Sequence, residues 1–164
     1  MKNIESRTYY TDGSCLKNPG SGGWAYVELV PCKDGYKTKI VSGGKENTTN
    51  NEMELTAAYR AILDAYKAGV KRVYIHADSA YVVNAIGKNW LRKWRLNGWE
   101  TTQGTPVKNK TIWEKIYRLI FEKDMDVITI QVKGHSGNVL NELADSIARR
   151  ESERIEYGNY QDDE

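Results

Sequence analysis

Arg7–Cys15 reads as a strand, whose period of two puts Tyr10, Asp12 and Ser14 on one face and Tyr9, Thr11 and Gly13 on the other. The run Lys17-Asn18-Pro19-Gly20-Ser21-Gly22-Gly23 is a turn signal, and a second strand follows over Trp24–Cys32. After Lys33-Asp34-Gly35 a third strand covers Tyr36–Ser42, so the first part of the chain predicts an antiparallel meander. The period then becomes helical. Thr48, Thr49, Asn50 and Asn51 are N-cap candidates, and Glu52 and Glu54 put acid in the first turn of a helix over Met53–Lys67. Ala58, Ala61, Ile62 and Ala65 form its apolar stripe, and Gly69 stops it. Val70–Ala77 reads as a strand, Ser79–Ile86 and Trp90–Leu96 as short helices, and Val107–Lys123 as a longer one. Val127–Val132 is the last predicted strand and Asn141–Arg150 the last helix. Strands that first meander and then alternate with helices predict a mixed sheet in an α/β or α+β domain.

Composition sets bounds on this picture. A chain of 164 residues with 40% hydrophobic and 28% charged content fits one globular domain with its own core, here expected over 1–155. No apolar run is long enough to span a bilayer, and Met1–Ser6 carries no export signal, so the expected location is cytoplasmic by default. A hairpin turning near Asn18–Gly20 places Cys15 opposite a residue near Gly22 and far from Cys32, out of register for a disulfide. Reduced, buried cysteines are the expectation. Net charge is only +2, but its distribution is uneven. Lys88, Arg92, Lys93, Arg95, Lys108 and Lys110 face a single acid, Glu100, in that stretch, which suggests a polyanionic partner. The acid-rich end from Glu151, with 156–164 as its tail, reads as frayed and solvated.

Four carboxylates stand where acids are disfavoured. Glu54 projects from the apolar stripe of its helix, Asp12 lies mid-strand, Asp78 follows the apolar strand end Val73-Tyr74-Ile75-His76-Ala77, and Asp145 lies beside the stripe of Leu140, Ala144, Ile147 and Ala148. Each also has a structural reading: first-turn acid, strand-ending Asp-Gly turn, N-cap, and solvated helix face.

The motifs around these acids settle the choice. Tyr10-Thr11-Asp12-Gly13-Ser14 is followed by Asn18-Pro19-Gly20, then by Thr48-Thr49-Asn50-Asn51-Glu52-Met53-Glu54-Leu55 and Ala77-Asp78-Ser79-Ala80-Tyr81. Val132-Lys133-Gly134-His135-Ser136-Gly137 and Asn141-Glu142-Leu143-Ala144-Asp145 complete the series. In this order, with a tryptophan- and lysine-rich insertion before the last two, the sequence resembles the type 1 ribonuclease H family from about Arg7 to Arg150. The resemblance implies a ribonuclease H-like fold with a five-stranded mixed sheet flanked by helices. It also implies an endonuclease that cuts the RNA strand of RNA–DNA hybrids, leaving 5′-phosphate and 3′-hydroxyl ends.

Four carboxylates in one pocket need cations, and an all-oxygen set suits Mg²⁺ first and Mn²⁺ second. Two such ions could activate a water and stabilise the leaving oxygen. The resemblance implies that Asp12 bridges both, that Asp145 helps hold the one activating water, and that Glu54 and Asp78 hold the other. It further implies that His135, in a glycine-flanked loop, moves protons without being indispensable. His76, alternating with Ile75 in a strand, reads as structural.

On the substrate side, Asn18, Asn50 and Asn51 are turn amides suited to 2′-hydroxyls and base edges in the minor groove of a hybrid, although cap chemistry explains them equally well. Thr49 resembles a family position that grips a DNA-strand phosphate, and Gly13 and Asn141 belong to the same substrate-facing motifs. In the insertion, Lys93 and Arg95 face the phosphate backbone, while Trp94, four residues after Trp90, belongs to a face that packs inward. The sequence departs from the family pattern at Ala80, Asn138 and Leu143. A hybrid-binding module that has lost catalysis, or another nuclease on the same fold, is the alternative. The intact acid set speaks against the first, the asparagine-rich turns and basic insertion against the second. A free, monomeric enzyme of limited processivity is expected.

Overall fold

The structure, a computed structural model, describes residues 6–133 and 138–158. Its sheet has the order β3-β2-β1-β4-β5. β1 (Ser6–Cys15), β2 (Gly20–Cys32) and β3 (Gly35–Thr48) form the antiparallel meander, and β4 (Arg72–Ala77) and β5 (Asp126–Gln131) add in parallel to β1. The helices are α1 (Asn50–Lys67), α2 (Ala80–Gly87), α3 (Trp90–Leu96), α4 (Lys110–Tyr117, continued by a π-helical turn over Arg118–Glu122) and α5 (Val139–Tyr157). This is the five-stranded mixed sheet with flanking helices that the sequence led us to expect.

Two glycines let helices onto opposite faces of the sheet. Gly13 of β1 meets α1: a Cβ there would lie 2.8 Å from the Met53 Cβ. Its cross-strand partner Trp24 is preceded by Gly23, where a Cβ would lie 2.6 Å from the Ser152 nitrogen of α5. Neighbouring positions of a strand point to opposite faces, so α1 and α5 sandwich the sheet. The larger core lies on the α1 side, where Ala57, Ala58, Ala61, Ile62 and Ala65 are fully buried with Tyr9, Ile75 and Trp113. Small residues, Ala25, Ala144 and Ala148, let α5 approach on the other side.

Several element boundaries differ from the sequence expectation, each for a local reason. β2 starts at Gly20 and β3 runs to Thr48, because Gly22 and Gly23 pair with Lys45 and Gly44 through backbone groups that no side-chain pattern reveals. α4 starts at Lys110, since the Val107 amide donates to the Trp99 carbonyl at 3.0 Å and Glu100 pairs with Pro106. α5 continues to Tyr157: Glu151 accepts from Ser42 Oγ at 3.2 Å and Glu156 from Ser21 Oγ at 2.6 Å, so the first part of the acidic run is docked helix and not a frayed end.

Cys15 pairs with Gly22 and Cys32 with Gly35, at opposite ends of β2, and both thiols are free. Their expected burial is corrected. Cys32 is exposed at the β2–β3 turn, where residues 31–40 are all exposed, and Cys15 is half-buried. No described helix is long and apolar enough to cross a membrane.

Candidate active site

The end of the parallel ladder brings the first two acids side by side. Thr11 pairs with Ala77, so the next residues on the adjacent strands are Asp12 and Asp78. The bland role for Asp78 as N-cap falls away, because Ser79 fills it, its Oγ accepting from the Val82 amide at 3.3 Å. Glu54 arrives from α1, whose start is set by Thr49: its Oγ1 accepts from the Glu52 amide at 3.1 Å. With no side chain at Gly13, the first turn of α1 rests directly on β1 and Glu54 comes beside Asp12. One carboxylate oxygen from each of Asp12, Glu54 and Asp78 lies within 4.8 Å of the others.

These acids are held against their preference for water. Asp12 is 2% exposed, and burial pushes its carboxyl up to about 7, with the charges of Asp78 and Asp145 adding to the effect and the Gly13 amide opposing it. Glu54 is raised well above the ordinary carboxyl range, first by burial and then by its contact with Asp12. Its Oε2 is buried without a hydrogen-bond partner among the described residues. Three converging carboxylate oxygens, with no nitrogen or sulfur donor in the group, fit a hard divalent cation.

Asp145 is placed differently. It is not one of the three converging ligands, and its Oδ2 pairs with Arg149 Nη2 at 3.1 Å on α5. It nevertheless stands close enough to act on the Asp12 charge. His135 lies outside the described residues. His76 stacks on Tyr10, its register partner on β1, with ring centroids 4.3 Å apart, and burial lowers its pKa, which agrees with a structural role.

Beside the acids lies a groove of about 620 Å³. Asn18, Thr49, Asn50 and Asn51 form one wall and Tyr81, Lys108 and Asn109 the other. The first wall is tied together, since Asn18 Oδ1 accepts from the Asn50 amide at 3.1 Å. Glu52 also lines the groove, held by Lys45 Nζ at 2.6 Å and Thr48 Oγ1 at 2.8 Å. Lys93 and Arg95 are exposed on α3, whereas the Trp94 ring, half-buried, packs on Trp113 at 5.5 Å and on Trp90 at 6.2 Å. Asn141 is 3% exposed, in the first turn of α5, with no partner for its Oδ1 among the described residues. Asn138 caps that helix, its Oδ1 accepting from the Asn141 amide at 3.0 Å.

Two features escape a reading of the sequence. Tyr81 stands out there only as a member of a motif, yet its hydroxyl gathers three groups on the second groove wall. Glu28, on β2, is 1% exposed and pairs with Arg7 Nη1 at 2.7 Å, and only the placing of an acid in an apolar strand hints at it.

Residues 5–153 match the RNase H family. A ribonuclease H of Caldicellulosiruptor saccharolyticus is 45% identical over 142 residues, 85% of this chain and 91% of that protein. Among solved structures, LC9-RNase H1, a type 1 RNase H with the type 2 active-site motif, has a TM-score of 0.81 at 24% identity, over 94% of this chain and 75% of that one, a likeness of fold. The foamy viral protease–reverse transcriptase in complex with an RNA/DNA hybrid has a TM-score of 0.77 at 25% identity, over 93% of this chain and 21% of that one.

Proposed function

Because the chain belongs to the ribonuclease H family, we propose that Asp12, Glu54, Asp78 and Asp145 hold two divalent cations, Mg²⁺ by preference and Mn²⁺ in its place, at the site of cleavage. The enzyme is an endoribonuclease that acts on RNA–DNA hybrids and cuts the RNA strand. The observation that carries the proposal is the convergence of three carboxylates within 4.8 Å, beside an amide-lined groove.

When bound, the cations supply Lewis acidity for an attacking water and for the leaving 3′ oxygen, so that 5′-phosphate and 3′-hydroxyl ends result. Asp12, Glu54 and Asp78 would hold one cation, and Asp145, which now pairs with Arg149, would hold the other together with Asp12. Burial, more than the neighbouring charges, holds Asp12 and Glu54 above the ordinary carboxyl range, and a cation held there would favour their ionised forms. His135 would move protons in the reaction without being indispensable to it.

Substrate selection rests on geometry outside the acids. Asn18, Asn50 and Asn51 offer donors and acceptors to the 2′-hydroxyls of the RNA strand, Thr49 holds a phosphate of the DNA strand, and Gly13 contributes by seating the first turn of α1 against β1 beside them. Lys93 and Arg95 add non-specific attraction for the phosphate backbone. We place this work in the cytoplasm and assign it to a monomer, since one chain supplies the acids, both groove walls and the basic insertion.

Incubation with labelled RNA–DNA hybrid, duplex RNA and duplex DNA, each with Mg²⁺ or EDTA, tests the reading. Only the RNA of the hybrid should be cut, and only with metal. Cleavage of duplex DNA, or of hybrid in EDTA, would overturn it.

A further inference from the structure

We propose that Tyr81 is a positioning residue for hybrid binding: its hydroxyl fastens the base of the basic insertion to the helix that begins at the carboxylates. The proposal rests on the reading that the groove receives the hybrid. Tyr81 lies in the first turn of α2, directly after Asp78 and the cap Ser79. Its Oη accepts from Trp113 Nε1 at 2.7 Å and from Asn109 Nδ2 at 3.4 Å, and donates to the Lys108 carbonyl at 3.4 Å. A phenolic hydroxyl has one proton and two lone pairs, so all its capacity is engaged. Its partners stand 27 to 32 residues further along the chain, on the far side of the insertion.

The ring contacts point the same way. Tyr81 meets Trp113 edge-on, with centroids 5.5 Å apart and planes at 72°, and Trp113 is fully buried. Trp94 packs on the same indole at 5.5 Å and carries Lys93 and Arg95 beside it on α3. Trp113 is thus a fixed post to which both the cationic helix and the second groove wall attach, and Tyr81 joins that post to the strand end bearing Asp78.

Asn109 shows why the wall needs such a tie. It takes the left-handed conformation, φ 61°, at the start of α4 and makes no side-chain cap bond there. Its geometry therefore depends on tertiary contacts, and Tyr81 is one. Without the hydroxyl, the Trp113 Nε1–H loses its acceptor and the Lys108–Asn109 turn its anchor, while the carboxylates are untouched. Hybrid binding should weaken and the chemical step should not.

The test is Tyr81→Phe, which keeps the ring. With hybrid substrate KM should rise about fivefold, the scale of one hydrogen bond, with kcat within about twofold and an unchanged Mg²⁺ requirement. In an Asn109→Gly background, which preserves the left-handed backbone, the Tyr81→Phe shift in KM should be smaller, because part of the linkage is already gone. A wild-type KM for Tyr81→Phe, a loss confined to kcat, or an equal shift in both backgrounds would overturn the proposal. A purely structural role would lower the melting temperature and leave KM in place. Hybrid affinity measured by fluorescence anisotropy in EDTA judges the tie independently of cleavage. A wild-type chain that binds hybrid in EDTA but fails to cut it with Mg²⁺ therefore counts against the functional reading, and an unshifted Kd for Tyr81→Phe against this one.

Discussion

Gly13 lies so close to Met53 that a Cβ added to the glycine would stand 2.8 Å from the methionine Cβ, and closer still to the backbone of Glu54. Backbone cannot move aside as a flexible side chain can. Gly13→Ala should therefore push α1 off β1 and separate Glu54 from Asp12. Overpacking of this kind costs about 1–3 kcal/mol, read by urea unfolding. A displacement of about 1 Å at the carboxylates should lower kcat on the order of 10²-fold. Near-native turnover in the alanine variant would show that the contact does not align the site.

The metal-free protein should become less stable as pH rises through neutrality. Asp12 titrates at about 7 in the fold against an ordinary 3.8, and Glu54 is raised as well. Between those limits the folded state binds more protons than the unfolded chain, so stability falls with rising pH, and the Asp12 part of the penalty is complete above about pH 7. Each tenfold difference in proton affinity between the two states is worth about 1.4 kcal/mol. His76 acts in the opposite sense, because its lowered pKa favours folding as pH rises through the ordinary histidine range. Melting in EDTA at pH 6 and pH 8 should show the decline, and Mg²⁺ should reverse it at pH 8. A melting temperature that rises over this interval would refute the account.

Asp12→Asn separates these effects. The amide removes the buried charge, so the variant should melt higher than wild type at pH 8 in EDTA and lose the response to Mg²⁺. Cleavage should fall below detection while hybrid affinity stays within a few-fold. Retained turnover would remove Asp12 from the metal site.

The Arg7–Glu28 pair predicts an asymmetry. Glu28 is 1% exposed on its side chain and Arg7 36%, and the second oxygen of Glu28 has no partner among the described residues. Arg7→Ala strands a buried carboxylate, a loss on the order of 3–5 kcal/mol. Glu28→Gln leaves an arginine that can reach water, and should cost less. Chemical denaturation of both variants decides the order, and equal losses would mean that the buried charge is compensated elsewhere.

Lys93 and Arg95 should act through salt. Replacing both with alanine should raise KM for hybrid and flatten the dependence of log Kd on log salt by roughly one for each phosphate that is no longer neutralised. An unchanged slope would show that α3 does not touch the backbone.

Much of this molecule is legible residue by residue. The α3 boundaries, Trp90–Leu96, follow from pattern alone, and the register that sets Cys15 against Gly22 follows from one turn signal. Glu54 declares itself by standing on an apolar stripe, because a helix repeats its face every few residues and an acid on the buried side is visible as a break. Where pattern reading failed, the cause was backbone pairing or long-range docking. Glycines carry no hydropathy signal and so hid the true start of β2. The surface charge of Glu151 and Glu156 concealed that α5 is held to β2 and β3 by Ser42 and Ser21.

The four carboxylates themselves divide along this line. Sequence alone determined which acids stand out, the order of their motifs and the family they belong to, since these depend on local periodicity and on residues adjacent in the chain. Only the tertiary structure decided that Asp12, Glu54 and Asp78 converge while Asp145 is paired with Arg149, and that Tyr81 ties the second groove wall to Trp113. Those relations join residues brought together by the parallel register of β1 and β4 and by the close seating of α1 on Gly13, and distances of that kind arise from packing, which no single stretch of the chain encodes.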